Sequence, residues 1–347
     1  MGDRIMRYIG SKTNLLEEIS TVIHKNTNNF KSFCDIFTGT GAVSRHFKKD
    51  FSITCNDILY FSHLIQKATI EGNSIPEFLT LKNAIALDPY DYFSQIDESK
   101  FIFKNNPFFY ENYAPSITSE RQYFSPQNAL RIDAIRQTIE IWKDKDLLSE
   151  GEYCYLLAGL IEAVPFVSNI AGTYGAYLKH WDRRALKVIN PIRLPVENNN
   201  RVNCSFNKNA NDLIKEVSGD ILYIDPPYNG RQYISNYHIL ETLAKYDNPE
   251  VKGITGVRRD SEGTSNYCKK SKVRDSFHDL IENADFKFIV VSYSTEGIMS
   301  EDEITSTLEK FGCKSTLTVK RIPYRRYKHT QGNIEHKLNE LIFSIKK

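Results

Sequence analysis

Apolar residues recur three and four positions apart from Lys12 to about His24. Leu15, Leu16, Ile19 and Ile23 share one stripe, and that spacing predicts an amphipathic helix. Two apolar runs of strand length follow at 32–37 and 51–56, then a helix over about Phe61 to Ile70. From 71 to 195 the pattern changes to aromatic-rich stretches with few strand signals. Two helices stand out there, Ser125 to Trp142 (Leu130, Ile132, Ile135 and Ile139 apolar) and Glu152 to Val164. Asn198-Asn199-Asn200 reads as a loop, after which strands near 202–206, 220–225 and 287–292 complete a parallel set. A last pair, about 314–321 and 340–345, predicts a hairpin with a long polar tip from Tyr324 to His336. Alternating strands and helices predict an α/β fold, a doubly wound three-layer sheet with ligands at the carboxyl ends of its strands. The expected organisation is a core from 1–70 plus 196–347 and a mostly helical insert at 71–195, with no internal repeat.

Candidate chemistry gathers where strands stop. Asp220-Ile221-Leu222-Tyr223-Ile224 reads as a strand buried on both faces, and it runs into Asp225-Pro226-Pro227-Tyr228. Two prolines cannot continue a ladder, so the strand must end in a rigid corner there. That corner carries a carboxylate, backbone carbonyls and an aromatic ring. The set suits a planar nitrogen base, with acceptors for an exocyclic amino group and a ring to stack on its face. An ordinary strand-to-loop turn is the plainer reading of the same four residues. A second run, Ser32-Phe33-Cys34-Asp35-Ile36-Phe37, leads into Thr38-Gly39-Thr40-Gly41 and a helix-like segment. A strand, a glycine turn and a helix form a nucleotide-type pocket, because glycine lets backbone approach a ligand. The third glycine of the dinucleotide fingerprint is missing, which argues against a nicotinamide or flavin cofactor. Asp57, ending the next strand, is placed to accept hydrogen bonds from ribose hydroxyls.

Composition narrows the class. The chain has 347 residues, 41% hydrophobic and 25% charged, neither disordered nor membranous in character. No apolar run reaches membrane length and the first residues lack the apolar core of a signal peptide, which together point to the cytoplasm. Six cysteines are scattered without a C-x-x-C pair, so neither disulfides nor a metal site is expected. A net charge of +2 says little about nucleic acid, but basic residues cluster. They gather at 179–184, at Arg258-Arg259, at 269–274 and at 321–328, mostly mixed with aromatics as in backbone-tracking surfaces.

Taken together, these segments resemble the adenine-specific DNA methyltransferases of the D12 class, the Dam-like alpha group. Asp225-Pro226-Pro227-Tyr228 is similar to their catalytic motif and Asp35 to Gly41 to their cofactor motif. Arg7-Tyr8-Ile9-Gly10-Ser11-Lys12 is similar to the R-Y-x-G-x-K segment that precedes it. Further matches are Asn229 to Tyr233, Asn236 to Thr242 and Val291 to Gly297. The resemblance implies S-adenosylmethionine as cofactor, double-stranded DNA as partner, and transfer to N6 of an adenine flipped out of the duplex. It implies an antiparallel last strand and target recognition between the two main motifs. By resemblance Asp225, Pro226, Pro227 and Tyr228 are the catalytic set. Tyr8, Gly10 and Lys12 lie near the cofactor, Lys12 holding its carboxylate. Gly39 and Gly41 lie against its methionine part, Phe37 also binds the cofactor, and Asp35 orients the loop or reaches its ammonium. Asn209 stands where the family often has Asp, which leaves the reader of the cofactor's adenine between Asn209 and Asp212. Lys179, Arg183, Arg184, Arg258 and Arg259 are the expected DNA contacts, with Tyr174 to Arg184 as the main DNA-facing segment. A cognate restriction endonuclease is a candidate partner, and a monomer or weak dimer is expected. The alternatives are cytosine-N4 methylation, against which Asp rather than Ser before Pro226 counts, and a non-catalytic DNA-binding specificity subunit.

Overall fold

The computed structural model describes residues 8–26, 29–259, 262–324 and 338–347. Arg7 and positions 325–336 of the predicted hairpin tip lie outside the described residues. The strands are β1 (Ser32–Asp35), β2 (Ser52–Asn56), β3 (Cys204–Phe206), β4 (Ser218–Ile224), β5 (Val251–Lys252), β6 (Val257–Arg258), β7 (Asp285–Ser294), β8 (Thr318–Tyr324) and β9 (Leu338–Lys346). The chain divides into two compact units. One comprises Met1–Gly10, Leu59–Asn198 and Ile234–Gly263, the other Ser11–Ile58, Asn199–Tyr233 and Thr264–Lys347. The helix-rich unit thus takes in Leu59 to Ile70 and Ile234 to Gly263 besides the stretch 71–195.

The second unit is built on a seven-stranded sheet in the order β3-β2-β1-β4-β7-β9-β8. The five strands from β3 to β7 are parallel, and β9 runs antiparallel to both β7 and β8. Side chains alternate across it. Cys34, Leu222, Ile224, Ile289, Val291, Leu341 and Phe343 face one core, closed by Val273, Phe277, Leu280 and Ile281 of one helix and Ile304 and Leu308 of another. On the other face Phe33 stacks with Phe47 (4.8 Å) and Tyr223 (6.0 Å). Ile19 and Ile23 of the helix Leu16–Asn26 are buried with them. Helices on both faces make this an α/β three-layer fold, and they explain why Ile221 to Ile224 read as unbroken apolar.

The first unit is mainly helical. Pro126–Asp144 and Glu150–Ala163 are its long helices, capped by Ser125 and by a Ser149/Glu152 capping box. Buried charges tie its loops to them. Asp133 accepts from the N–H groups of Phe109 and Tyr110 (both 3.0 Å), and Arg131 donates to the carbonyls of Phe93 and Ile189 (both 2.7 Å). Three short helices, Leu79–Ile85, Pro89–Ser94 and Phe108–Tyr113, and the β5–β6 ladder were not signalled by periodicity. The helix expected over 61–70 is Tyr60–Gln66 followed by a π turn, Lys67–Glu71. Among the described residues no helix is long and apolar enough to cross a membrane.

Candidate active site

The carboxyl ends of β1, β2 and β4 assemble the candidate site within the sheet-bearing unit. After β1 the backbone reverses through Gly39 (φ 55°) and Gly41 (φ 87°), both left-handed, where a Cβ would strain the chain. The turn is held from several sides. The Thr38 hydroxyl donates to the Asp35 carbonyl (2.6 Å), the Thr38 N–H to the Asn56 carbonyl (2.9 Å), and the Gly39 N–H to Asp57 Oδ2 (2.9 Å). Asn56 locks three segments together: its amide donates to the carbonyls of Ile36 and Lys208 (both 3.1 Å) and accepts from the Lys208 N–H (3.0 Å). From the sequence Asn56 is simply the end of a strand, with nothing to mark it for the site.

Asp35 is buried beneath this turn. Its Oδ2 accepts from the Ser44 hydroxyl (2.9 Å), whereas Oδ1 is buried without a partner. Burial pushes the carboxyl up to about 8, and the neighbouring Asp225 and Asp57 add to the rise. A buried carboxyl with one unpartnered oxygen, beside a backbone turn built on glycines, fits a ligand carrying an ammonium group. That is the chemistry of the methionine part of S-adenosylmethionine. Asp57 has one oxygen on the turn, and Asn209 caps the short helix Ala210–Leu213 by accepting from the Asn211 N–H (2.9 Å). Phe37 packs edge-on against Tyr267 (4.8 Å).

β4 ends at Ile224, and Asp225 follows at the start of the proline corner. Its Oδ1 lies 2.8 Å from Lys12 Nζ, and both groups are largely buried. Burial lifts the Asp225 carboxyl above the ordinary carboxylate range against the pull of Lys12. Burial pulls the Lys12 ammonium down, but Asp225 and Glu340 together outweigh it and hold the group above its ordinary value. The ammonium also lies 5.5 Å from the centroid of the half-buried Tyr228 ring, which meets Tyr293 edge-on at 6.3 Å. The Tyr228 carbonyl accepts from the Ile298 N–H (3.0 Å), pinning the far side of the corner. Gly297 is required there, since a Cβ would fall 2.0 Å from the Tyr293 ring. Gln232 and Ser265 exchange two hydrogen bonds (2.9 and 2.7 Å), holding the segment after the corner.

Glu340 was not marked as a site residue by the sequence. It is buried on β9 with Oε2 unpartnered. In the sequence it only precedes the apolar run Leu341-Ile342-Phe343, where a charged residue is ordinary, so nothing local singles it out.

The remaining expected residues belong to the helical unit. Tyr8 stacks on Tyr237 (4.7 Å), and between Tyr8 and Gly10 the Ile9 N–H donates to the Tyr237 hydroxyl (2.7 Å). Tyr174 is buried against Ser168 (3.0 Å) instead of being presented outward. Lys179 and Arg183 are exposed, and Arg184 is engaged with Asp182 (3.2 Å) and the Ile170 carbonyl. Arg258 is buried and donates to Asp247 (2.8 Å), whereas exposed Arg259 pairs with Glu250.

The family described as D12 class N6 adenine-specific DNA methyltransferase matches residues 8–307. Type II methyltransferase M.FokI of Planomicrobium okeanokoites is 50% identical over 343 residues, 99% of this chain and 53% of that protein. Modification methylase StsI of Streptococcus sanguinis is 41% identical over 99% of this chain and 52% of its own length. Type II methyltransferase M.NlaIII of Neisseria lactamica is 39% identical, covering 96% of both chains. The chain therefore spans about half the length of the first two relatives and nearly all of the third.

Proposed function

Because this chain belongs to the D12 class of N6 adenine-specific DNA methyltransferases, we propose that it methylates N6 of an adenine flipped out of duplex DNA. It acts at one short sequence, as the modification activity of a type II restriction–modification system. The observation that carries this reading is the largely buried Asp225 just past the end of β4, one sheet neighbour from the glycine turn and Asp35.

S-adenosylmethionine, when bound, supplies a methyl carbon whose bond to a positively charged sulfur breaks with the electron pair left on sulfur. The protein's part is to make a poor nucleophile adequate. Adenine N6 has its lone pair delocalised into the ring. The Asp225 carboxylate and the Pro226 carbonyl accept its two hydrogens, which draws the nitrogen toward tetrahedral geometry and frees that pair. They also stabilise the positive charge that builds as the new bond forms. The surplus proton then passes from the nitrogen to Asp225. Pro227 keeps the corner rigid, and Tyr228 stacks on the base. Gly39, Gly41, Phe37, Asp35 and Asp57 hold the cofactor, so that alignment supplies much of the rate. Residues 71–195 carry target recognition, with Lys179 and Arg183 as phosphate contacts.

Sequencing of modified bases in DNA from cells expressing the chain tests this. N6-methyladenine at one short motif is expected, and DNA without it would overturn the proposal.

A further inference from the structure

Among the described residues two buried carboxyl oxygens without hydrogen-bond partners lie on one face of the sheet, Asp35 Oδ1 on β1 and Glu340 Oε2 on β9, with Tyr223 of β4 and Ser292 of β7 between them. Alternation puts Asp225 on the same face as Tyr223. The register sets Ile224 beside Val291, Val291 beside Phe343, and Ser294 beside Glu340. Glu340 therefore projects just past the level of Asp225, two strands away. Lys12 lies on this side, its ammonium 2.8 Å from Asp225. A buried carboxyl oxygen without a hydrogen bond is costly unless a charge compensates it: burial lifts the Glu340 carboxyl above its ordinary range, and among the described residues the Lys12 ammonium opposes that rise.

We propose that Glu340 is a positioning residue for methyl transfer, the second carboxylate that takes up the charge of Lys12 when Asp225 turns to the adenine amino group. The inference rests on the adenine-N6 reading above. While Lys12 sits on Asp225, that carboxylate has an oxygen occupied by an ammonium and is a weaker acceptor. The two charges also cancel, leaving little field to oppose the positive charge that develops on N6. A third group of negative sign leaves the set of Asp225, Lys12 and Glu340 with one net negative charge, matched to the nitrogen as it reacts. Glu340 acts through Lys12 and touches neither base nor cofactor.

The test is a single-turnover rate with S-adenosylmethionine and unmethylated duplex DNA, alongside cofactor binding and thermal unfolding. Glu340→Gln, nearly the same in shape, is expected to slow transfer on the order of 10- to 100-fold with cofactor affinity and unfolding temperature unchanged. Glu340→Asp should recover part of the rate. In a Lys12→Met background the same Glu340→Gln change should alter the rate less than twofold, because its target is gone. A wild-type rate in Glu340→Gln, or an equal loss in both backgrounds, would overturn the role through Lys12. A loss that tracks a lowered unfolding temperature, without rescue by Asp, would overturn it in favour of packing. If the wild-type protein puts no methyl group on adenine, the proposed function fails first, and this inference with it.

Discussion

At the scale of single residues, the proposed chemistry depends most on Asp225. It is largely buried, its partner is Lys12, and Asp35 and Asp57, the groups proposed to face the cofactor, belong to other strand ends. Asp225→Ala should therefore drop turnover below a few per cent of wild type while equilibrium binding of S-adenosylmethionine is largely kept. Turnover above that level would remove Asp225 from the chemistry. The proline corner and the glycine turn were legible in the sequence because their constraints are local: two prolines end a strand, and a left-handed turn selects glycine. The Lys12–Asp225 pair and Glu340 were not legible, because only the tertiary fold brings residues so distant in sequence together, Glu340 through the register of its strand. Basic residues were the least readable. Arg258 looked like half of a cationic patch, yet it is buried on Asp247, and nothing in its immediate neighbours distinguishes the two fates.

At the scale of elements, long amphipathic helices and buried strands follow their periodicity, whereas helices of six or seven residues such as Pro89–Ser94 are too short to show one. The segment Asn236 to Thr242, which matches the family, does structural work inside the helix Tyr233–Lys245. Glu241 accepts from the N–H groups of Tyr60 and Phe61 (both 3.1 Å), capping the helix that begins there. His238 lies between the carbonyls of Ser235 (3.3 Å) and Thr255 (3.1 Å), among the rings of Tyr113, Tyr123 and Tyr174. Burial lowers its imidazole to about 4, from 6.5. Between those values the unfolded chain binds a proton that the folded one does not, so stability present above pH 6.5 is lost as pH falls toward 4. The loss amounts to roughly 3 kcal/mol at its full extent. Asp35 and Asp133, both raised to about 8, act in the opposite sense. They hold protons that the unfolded chain has released, and so lower stability as pH rises from about 4 to 8. Denaturant unfolding across pH should therefore show a shallower acid decline for His238→Gln than for the wild type. Parallel curves would mean that His238 is already charged in the folded protein.

At the scale of the whole molecule, each unit is assembled from three stretches of chain. Ile234 to Gly263 belongs with the helical unit although it follows the proline corner directly, and a linear reading that placed one insert between two motifs had no signal for that return. The central sheet and its antiparallel last strand match the expectation. The proposed reaction is defined by its product, and nucleoside mass spectrometry of unmethylated duplex DNA incubated with the protein and S-adenosylmethionine reads it directly. The prediction is N6-methyladenine with no N4-methylcytosine, and neither product with Asp225→Ala. Methylated cytosine alone, or unmodified DNA from protein that binds the cofactor, would contradict it.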